Sequence, residues 1–195
     1  DFIGQAVRIA VETGGRPVQM IWPREEDITH DFYRPAGVAV MQASLDAQGM
    51  PTALKFHLTS PSVTSRLFSV FVKDGIDPFM TEASVVPYAI PNQLADVVIH
   101  DTGLRVGYWR SVSHALNAFA NESFIDELAA AAGKDPLEYR RTLLAKEPRH
   151  LNVLNIAAQK SGWGTALPAG RSRGVAVMDG YGTYLALVSE ISVTG

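Results

Sequence analysis

Gly107-Tyr-Trp-Arg-Ser-Val-Ser-His114 places an arginine, two serines and a histidine where a long helical pattern begins. The first N–H groups of a helix lack partners within it and its dipole is positive there, so such a start attracts phosphate and other anions. Arg110, Ser111, Ser113 and His114 would reinforce that, while the plainer alternative is a serine that only caps the helix. Arg34, in the turn Phe32-Tyr33-Arg34-Pro35, is either a carboxylate-binding fork or half of a structural ion pair. Arg24-Glu25-Glu26-Asp27 offers consecutive carboxylates to a hard cation, or forms a solvated turn with local ion pairs. Histidines 30, 57, 100, 114 and 150 show no metal-ligand spacing, so no protein-ligated metal is expected. There is no Walker or Rossmann glycine loop, no G-x-S-x-G elbow and no cysteine. Ordinary dinucleotide binding and serine or cysteine nucleophiles therefore lack support, and disulfides and cysteine-ligated clusters within these residues are excluded.

The elements that must position these groups follow from periodicity. Residues 1–13 read as a largely buried helix stopped by Gly14-Gly15, and Val18 to Trp22 as a short core strand ended by Pro23. Two runs from Val38 to Leu58 flank Asp46-Ala-Gln-Gly49, a hairpin connection. In the second run Leu54, Phe56 and Leu58 alternate with Lys55, His57 and Thr59, which puts His57 on a wet face. Prolines 61, 78, 87 and 91 break a long irregular stretch with one helix near Thr64 to Val72, and such stretches are often functional or interface-forming. Ala95 to His100 reads as a core strand. Ser111 to Ala132 is the strongest helix, with Leu116, Phe119, Ala120, Phe124, Leu128 and Ala131 on one side and Asn117, Asn121 and Asp126 on another. Asp135-Pro-Leu-Glu138 starts a helix to about residue 145, a third runs from Pro148 to Ser161, and strands follow near 174–178 and 184–193. The sum is α+β, a mixed sheet with helices packed on it, as one domain over 1–195 or as two lobes, 1–100 and 101–195.

Composition narrows the partners. A net charge of -3 without any Lys/Arg run argues against nucleic acid, and no apolar stretch approaches the roughly twenty residues of a membrane-spanning helix. Only 19% of residues are charged, which reads as surface normally covered by something else. Compartment stays open between cytoplasm and periplasm.

The thirteen residues Trp22-Pro-Arg-Glu-Glu-Asp-Ile-Thr-His-Asp-Phe-Tyr-Arg34 and the run Gly107 to His114 together resemble the molybdenum hydroxylases. More narrowly, the chain is similar to the large, molybdopterin-binding subunit of the xanthine dehydrogenase family, in the branch of isoquinoline 1-oxidoreductase and related bacterial aldehyde dehydrogenases. The likeness runs in order through nearly all of the chain. It implies that Arg34 orients substrate, where xanthine-oxidising relatives carry a substrate-facing arginine. It also implies that Trp109, Arg110, Ser111, Val112, Ser113 and His114 form the rim of the cofactor, molybdopterin with molybdenum, alone or as a cytosine dinucleotide. Ser111-Val-Ser-His114 departs from the glycine-rich run of xanthine oxidases, and the isoquinoline branch is expected to carry glycine at Ser113.

By the same resemblance, a glycine loop lies before Asp1 and the glutamate base beyond Gly195, so the chain is expected to be a fragment with no catalytic residue of its own, Glu190 included. The parent enzyme would oxidise an N-heteroaromatic compound or an aldehyde with water as oxygen source. Electrons would pass to an iron-sulfur small subunit, and the remainder of the large subunit would complete the site. The alternatives are a cofactor-free remnant module of the same fold and, more distantly, a small-molecule-binding domain built on its aromatic loops.

Overall fold

Alternation of apolar and polar side chains along residues 54–59 sets the central strand of the first sheet. A computed structural model describes residues 2–193. In it β1 (Val38–Leu45) and β2 (Pro51–Ser60) form an antiparallel hairpin, and β3 (Asn92–Ile99) adds to β2 in parallel. Leu54, Phe56 and Leu58 are buried, while His57 lies on the outer face beside Asp96 and Lys55, as the alternation requires. The hairpin turn is held by Asp46, whose Oδ1 accepts from the N–H groups of Gln48 at 2.9 Å and Met50 at 2.8 Å. Gly49 has φ +76°, and a Cβ there would lie 2.6 Å from the Cβ of Ala132, so both conformation and approach demand glycine.

The long connection from β2 to β3 carries α3 (Ser65–Phe68), continued by a 3-10 turn over Ser69–Phe71. After β3 come α4 (His114–Ala131), α5 (Pro136–Leu143) and α6 (Pro148–Ser161). The start of α5 follows its sequence pattern: Asp135 caps the N–H groups of Leu137 and Glu138 at 2.9 and 3.0 Å, with Pro136 in the first turn. Gly162 ends α6 at φ +64°. The antiparallel pair β4 (Arg171–Gly180) and β5 (Thr183–Ser192) then turns through Tyr181 and Gly182, both at positive φ. The architecture is α+β, with the strands in two sheets, one of three strands and one of two.

One core cluster joins β2, the 86–90 segment, α4, α5, α6 and β4, and a smaller one holds Phe56, Leu58 and Met80. A buried ionic network ties these elements together. Glu122 accepts from Arg140 Nε at 2.9 Å, from the Tyr88 hydroxyl at 2.7 Å and from the Val177 amide at 2.8 Å. Arg140 also donates to Asp126 Oδ1 at 2.5 Å. Burial pushes the Glu122 carboxyl above its ordinary 4.5, against the pull of the Arg140 charge, and burial also raises the Tyr88 hydroxyl well above its ordinary value.

Several expectations give way here. The first helix, α1 (Phe2–Glu12), has no buried residue, and Val7 and Val11 on it are exposed. Its apolar side meets little beyond Trp22, whose ring lies edge-on to Phe2 at 5.9 Å and whose Nε1 donates to Gln5. Residues 18–22 form no strand, because no ladder partner reaches them. The acidic cluster is not a turn but α2 (Arg24–His30), where Glu25, Glu26 and Asp27 sit at the positive end of the dipole, Asp27 pairing with Arg24 and Glu26 with His30. On α4 the expected apolar side holds in part, with Leu128 buried and Leu116, Ala120 and Phe124 packed on the core, but Phe119 is 72% exposed and Asn117 is 0%. Asn117 and Asn121 face loop carbonyls that need donors, which outweighs the side chains' polarity.

Candidate functional site

Two segments far apart in sequence are laid side by side by backbone pairing. Tyr33 bridges Val106 in parallel, its N–H donating to Arg105 O at 2.9 Å and its carbonyl accepting from Gly107 N at 3.1 Å. Trp109 Nε1 donates to Phe32 O at 2.6 Å, and Arg105 reaches His30 O at 2.8 Å. Gly107 is required by this approach, since a Cβ there would stand 2.9 Å from the Cβ of Phe32.

The run after Trp109 is a left-handed turn rather than helix. Ser111 and Val112 have φ of +68° and +44°, so α4 starts at His114 and not at Ser111. For a β-branched valine this conformation costs on the order of 1–2 kcal/mol. The turn makes two bonds of its own, Val112 N to Trp109 O at 2.8 Å and His114 N to Ser111 O at 2.9 Å. The N–H groups of Arg110, Ser111 and Ser113 donate to nothing among the described residues. Ser113 is the N-cap by position but caps nothing; its hydroxyl donates instead to the carbonyl of Phe79. At Ser113 φ is -75°, so the backbone makes no demand for glycine there, and the left-handed positions are the two before it.

Arg34 lies against this turn. Its Nη1 donates to Val112 O at 3.1 Å and its Nη2 to Arg110 O at 2.9 Å, with the guanidinium 6.0 Å from the Trp109 ring centre. It forms no ion pair among the described residues, and neither does Arg110. Arg34, Trp109, Arg110, Ser111, Val112 and Ser113 are thus brought together. His114 turns inward instead: it is buried, its Nδ1 is 3.4 Å from Glu82, and its ring is 5.1 Å from that of Tyr181.

The third wall comes from the irregular stretch before β3, and its anchor was not singled out from sequence. Asp77, fully buried, accepts from Ser62 Oγ at 2.6 Å, Thr64 Oγ1 at 2.8 Å, Thr64 N at 3.1 Å and Phe79 N at 2.9 Å. Tyr108 adds a bond to Thr64 Oγ1 at 2.9 Å. Asn117 and Asn121 hold the carbonyls of Met80, Glu82 and Ala83 from the other side. The signal for Asp77 was the Asp-Pro pair with an amide two residues on, an ordinary turn cue whose partners at 62 and 64 sequence cannot supply. Behind the turn, Asp31, Phe32, Arg66, Tyr108 and Trp109 line a cavity of about 390 Å³, with Arg66 stacked 3.8 Å over the Phe32 ring.

Chemically, free backbone amides beside an arginine without an acidic partner make a seat for an anion or for a polar ring edge.

A family model described as "Molybdopterin cofactor-binding domain" matches residues 5–144. The chain is 28% identical to the beta subunit of isoquinoline 1-oxidoreductase from Brevundimonas diminuta, over 91% of its own length and 23% of that protein's. It is 29% identical to a subunit of nicotinate dehydrogenase from Pseudomonas putida, over 76% of this chain and 13% of that one. Quinoline 2-oxidoreductase from Pseudomonas putida 86 shares the fold with a TM-score of 0.64 at 19% identity, covering 87% of this chain and 25% of that chain. The chain therefore spans about a quarter or less of each of these proteins.

Proposed function

The chain belongs to the molybdopterin cofactor-binding domain family, and on that premise we propose that it is the part of a molybdenum hydroxylase large subunit that seats the pyranopterin. The observation carrying this reading is the left-handed turn at 110–113, with three amides and the Arg110 cation unpaired among the described residues. When bound, the cofactor supplies the oxidation, with oxygen taken from water and electrons leaving to an iron-sulfur partner subunit. The residues of this chain bind and orient. The amides of Arg110, Ser111 and Ser113 donate to the pterin side, Arg110 supplies positive charge, and Trp109, pinned by its indole N–H to Phe32 O, closes the edge. The donors of Arg34 not used on the turn are assigned to the substrate.

An N-heteroaromatic ring is the substrate class placed ahead of an aldehyde, since the names of two curated relatives specify isoquinoline and nicotinate, against a third, at lower identity, that specifies an aldehyde. The catalytic base and the rest of the pocket come from the remainder of the subunit. A cofactor-free remnant would leave the strain at Val112 without a use, whereas strained backbone persists where a site needs it.

Arg110→Ala in the complete subunit is expected to lower molybdenum occupancy or turnover by about tenfold or more. Occupancy and activity near those of the unaltered enzyme would remove the assignment.

A further inference from the structure

The two hydrogen bonds of Arg34 define a task that sequence resemblance does not give it. In a trans peptide the carbonyl and the following N–H point in opposite directions. Arg34 draws the carbonyls of Arg110 and Val112 toward itself, at 2.9 and 3.1 Å. The N–H groups in those same two peptide planes belong to Ser111 and Ser113, and both are unpaired among the described residues. One guanidinium therefore aims two amides away from itself, and its charge polarises both peptides so that their N–H groups become stronger donors.

We infer that Arg34 is a positioning residue: its planar fork fixes the 110–111 and 112–113 peptide planes so that the Ser111 and Ser113 amides converge on the anionic or polar edge of the bound pterin. This rests on the cofactor reading above, and it accounts for a valine at φ +44°, which no hydrogen bond of the Val112 side chain sustains. The fork geometry matters more than the charge. A lysine carries the same charge as a single point and cannot hold two carbonyls in one plane.

The test compares Arg34→Lys and Arg34→Ala with the unaltered complete subunit, purified with its partner. Three quantities are read: molybdenum and pterin content, amide hydrogen exchange at Val112 and His114, and KM of the fraction that remains loaded. Arg34 is exposed on the surface, so both variants should fold. Both are expected to lose about tenfold in cofactor content and to exchange about tenfold faster at Val112 and His114, whose bonds close the turn, while KM of the loaded fraction reads separately the Arg34 donors assigned to the substrate. Arg34→Lys with normal content and normal exchange overturns the inference, as does normal content with a raised KM, which marks a substrate contact alone. If unaltered protein holds no pterin yet exchange still depends on Arg34, the cofactor reading falls while the hold on the turn stands.

Discussion

Replacing Arg140 by methionine would remove a side chain whose exposure is 0% and leave the Glu122 carboxylate, itself 7% exposed, with only the Tyr88 hydroxyl and the Val177 amide. Breaking a buried ion pair from one side costs about 3–5 kcal/mol, because the charge left behind is neither solvated nor compensated. Against a total stability of about 5–15 kcal/mol for an ordinary domain, that is about a fifth of the whole or more. For a chain of this size the melting temperature should fall by about 6–20 °C. The deficit also carries a pH signature. Burial already holds the Glu122 carboxyl above 4.5, and without Arg140 it rises further. A carboxyl raised by folding contributes stability that is fully present below its unfolded pKa and lost as pH rises through the folded one. Arg140→Met should therefore be closest to the unaltered protein near pH 4.5 and furthest from it at neutral pH. Adding Glu122→Gln, whose amide oxygen can accept from Val177 N while its NH2 donates to the Tyr88 hydroxyl oxygen, removes the charge and should recover about 1–2 kcal/mol at neutral pH. Thermal unfolding followed by circular dichroism at pH 5 and pH 7.5 measures all of this. A loss below about 1 kcal/mol at pH 7.5, or an equal loss at both pH values, would refute the reasoning.

Gly49→Ala combines a left-handed backbone with a contact of 2.6 Å to the Cβ of Ala132, and should cost about 1–3 kcal/mol in urea unfolding with an unchanged slope. An unaffected midpoint would mean that the hairpin turn yields where the packing says it cannot. Hydrogen bonds from Arg171 and Arg173 hold the Glu190 carboxyl below 4.5, and one from His57 does the same for Asp96 below 3.8. Stability from such depressed groups is present above their unfolded pKa and is lost as pH falls through the folded one, so acid sensitivity should appear below about pH 4. Glu190→Gln should flatten that limb of the acid titration, and an unchanged acid midpoint would count against the pairing.

What could be read from the sequence was whatever short-range chemistry decides. Period-two alternation placed Leu54, Phe56 and Leu58 inside and His57 outside, and the Asp135-Pro136 cap placed the start of α5. The reading failed where distant partners decide. Asn117 and Asn121 read as a side apart from the apolar one because their polarity is visible and the carbonyls of residues 80–83 that they satisfy are not. The apolar face of α1 read as buried because amphipathicity shows that a helix has a side to cover and not whether these residues cover it. At the site, the segments around Arg34 and Arg110 were each singled out, but it takes the pairing of Tyr33 with Val106 and the bonds of Arg34 and Trp109 across it to show that they form one structure. The left-handed turn was hidden by its residues. A glycine at 112 would have announced it, whereas valine there argues for helix or strand.

The central claim is that this chain seats a molybdenum-bearing pterin. It is tested most directly by the molybdenum and pterin content of the complete subunit, purified from its native source with whatever subunits accompany it. The account predicts about one molybdenum and one pterin per large subunit. A folded protein containing neither would contradict it, and would leave Arg34 and the 110–113 turn as parts of the scaffold alone.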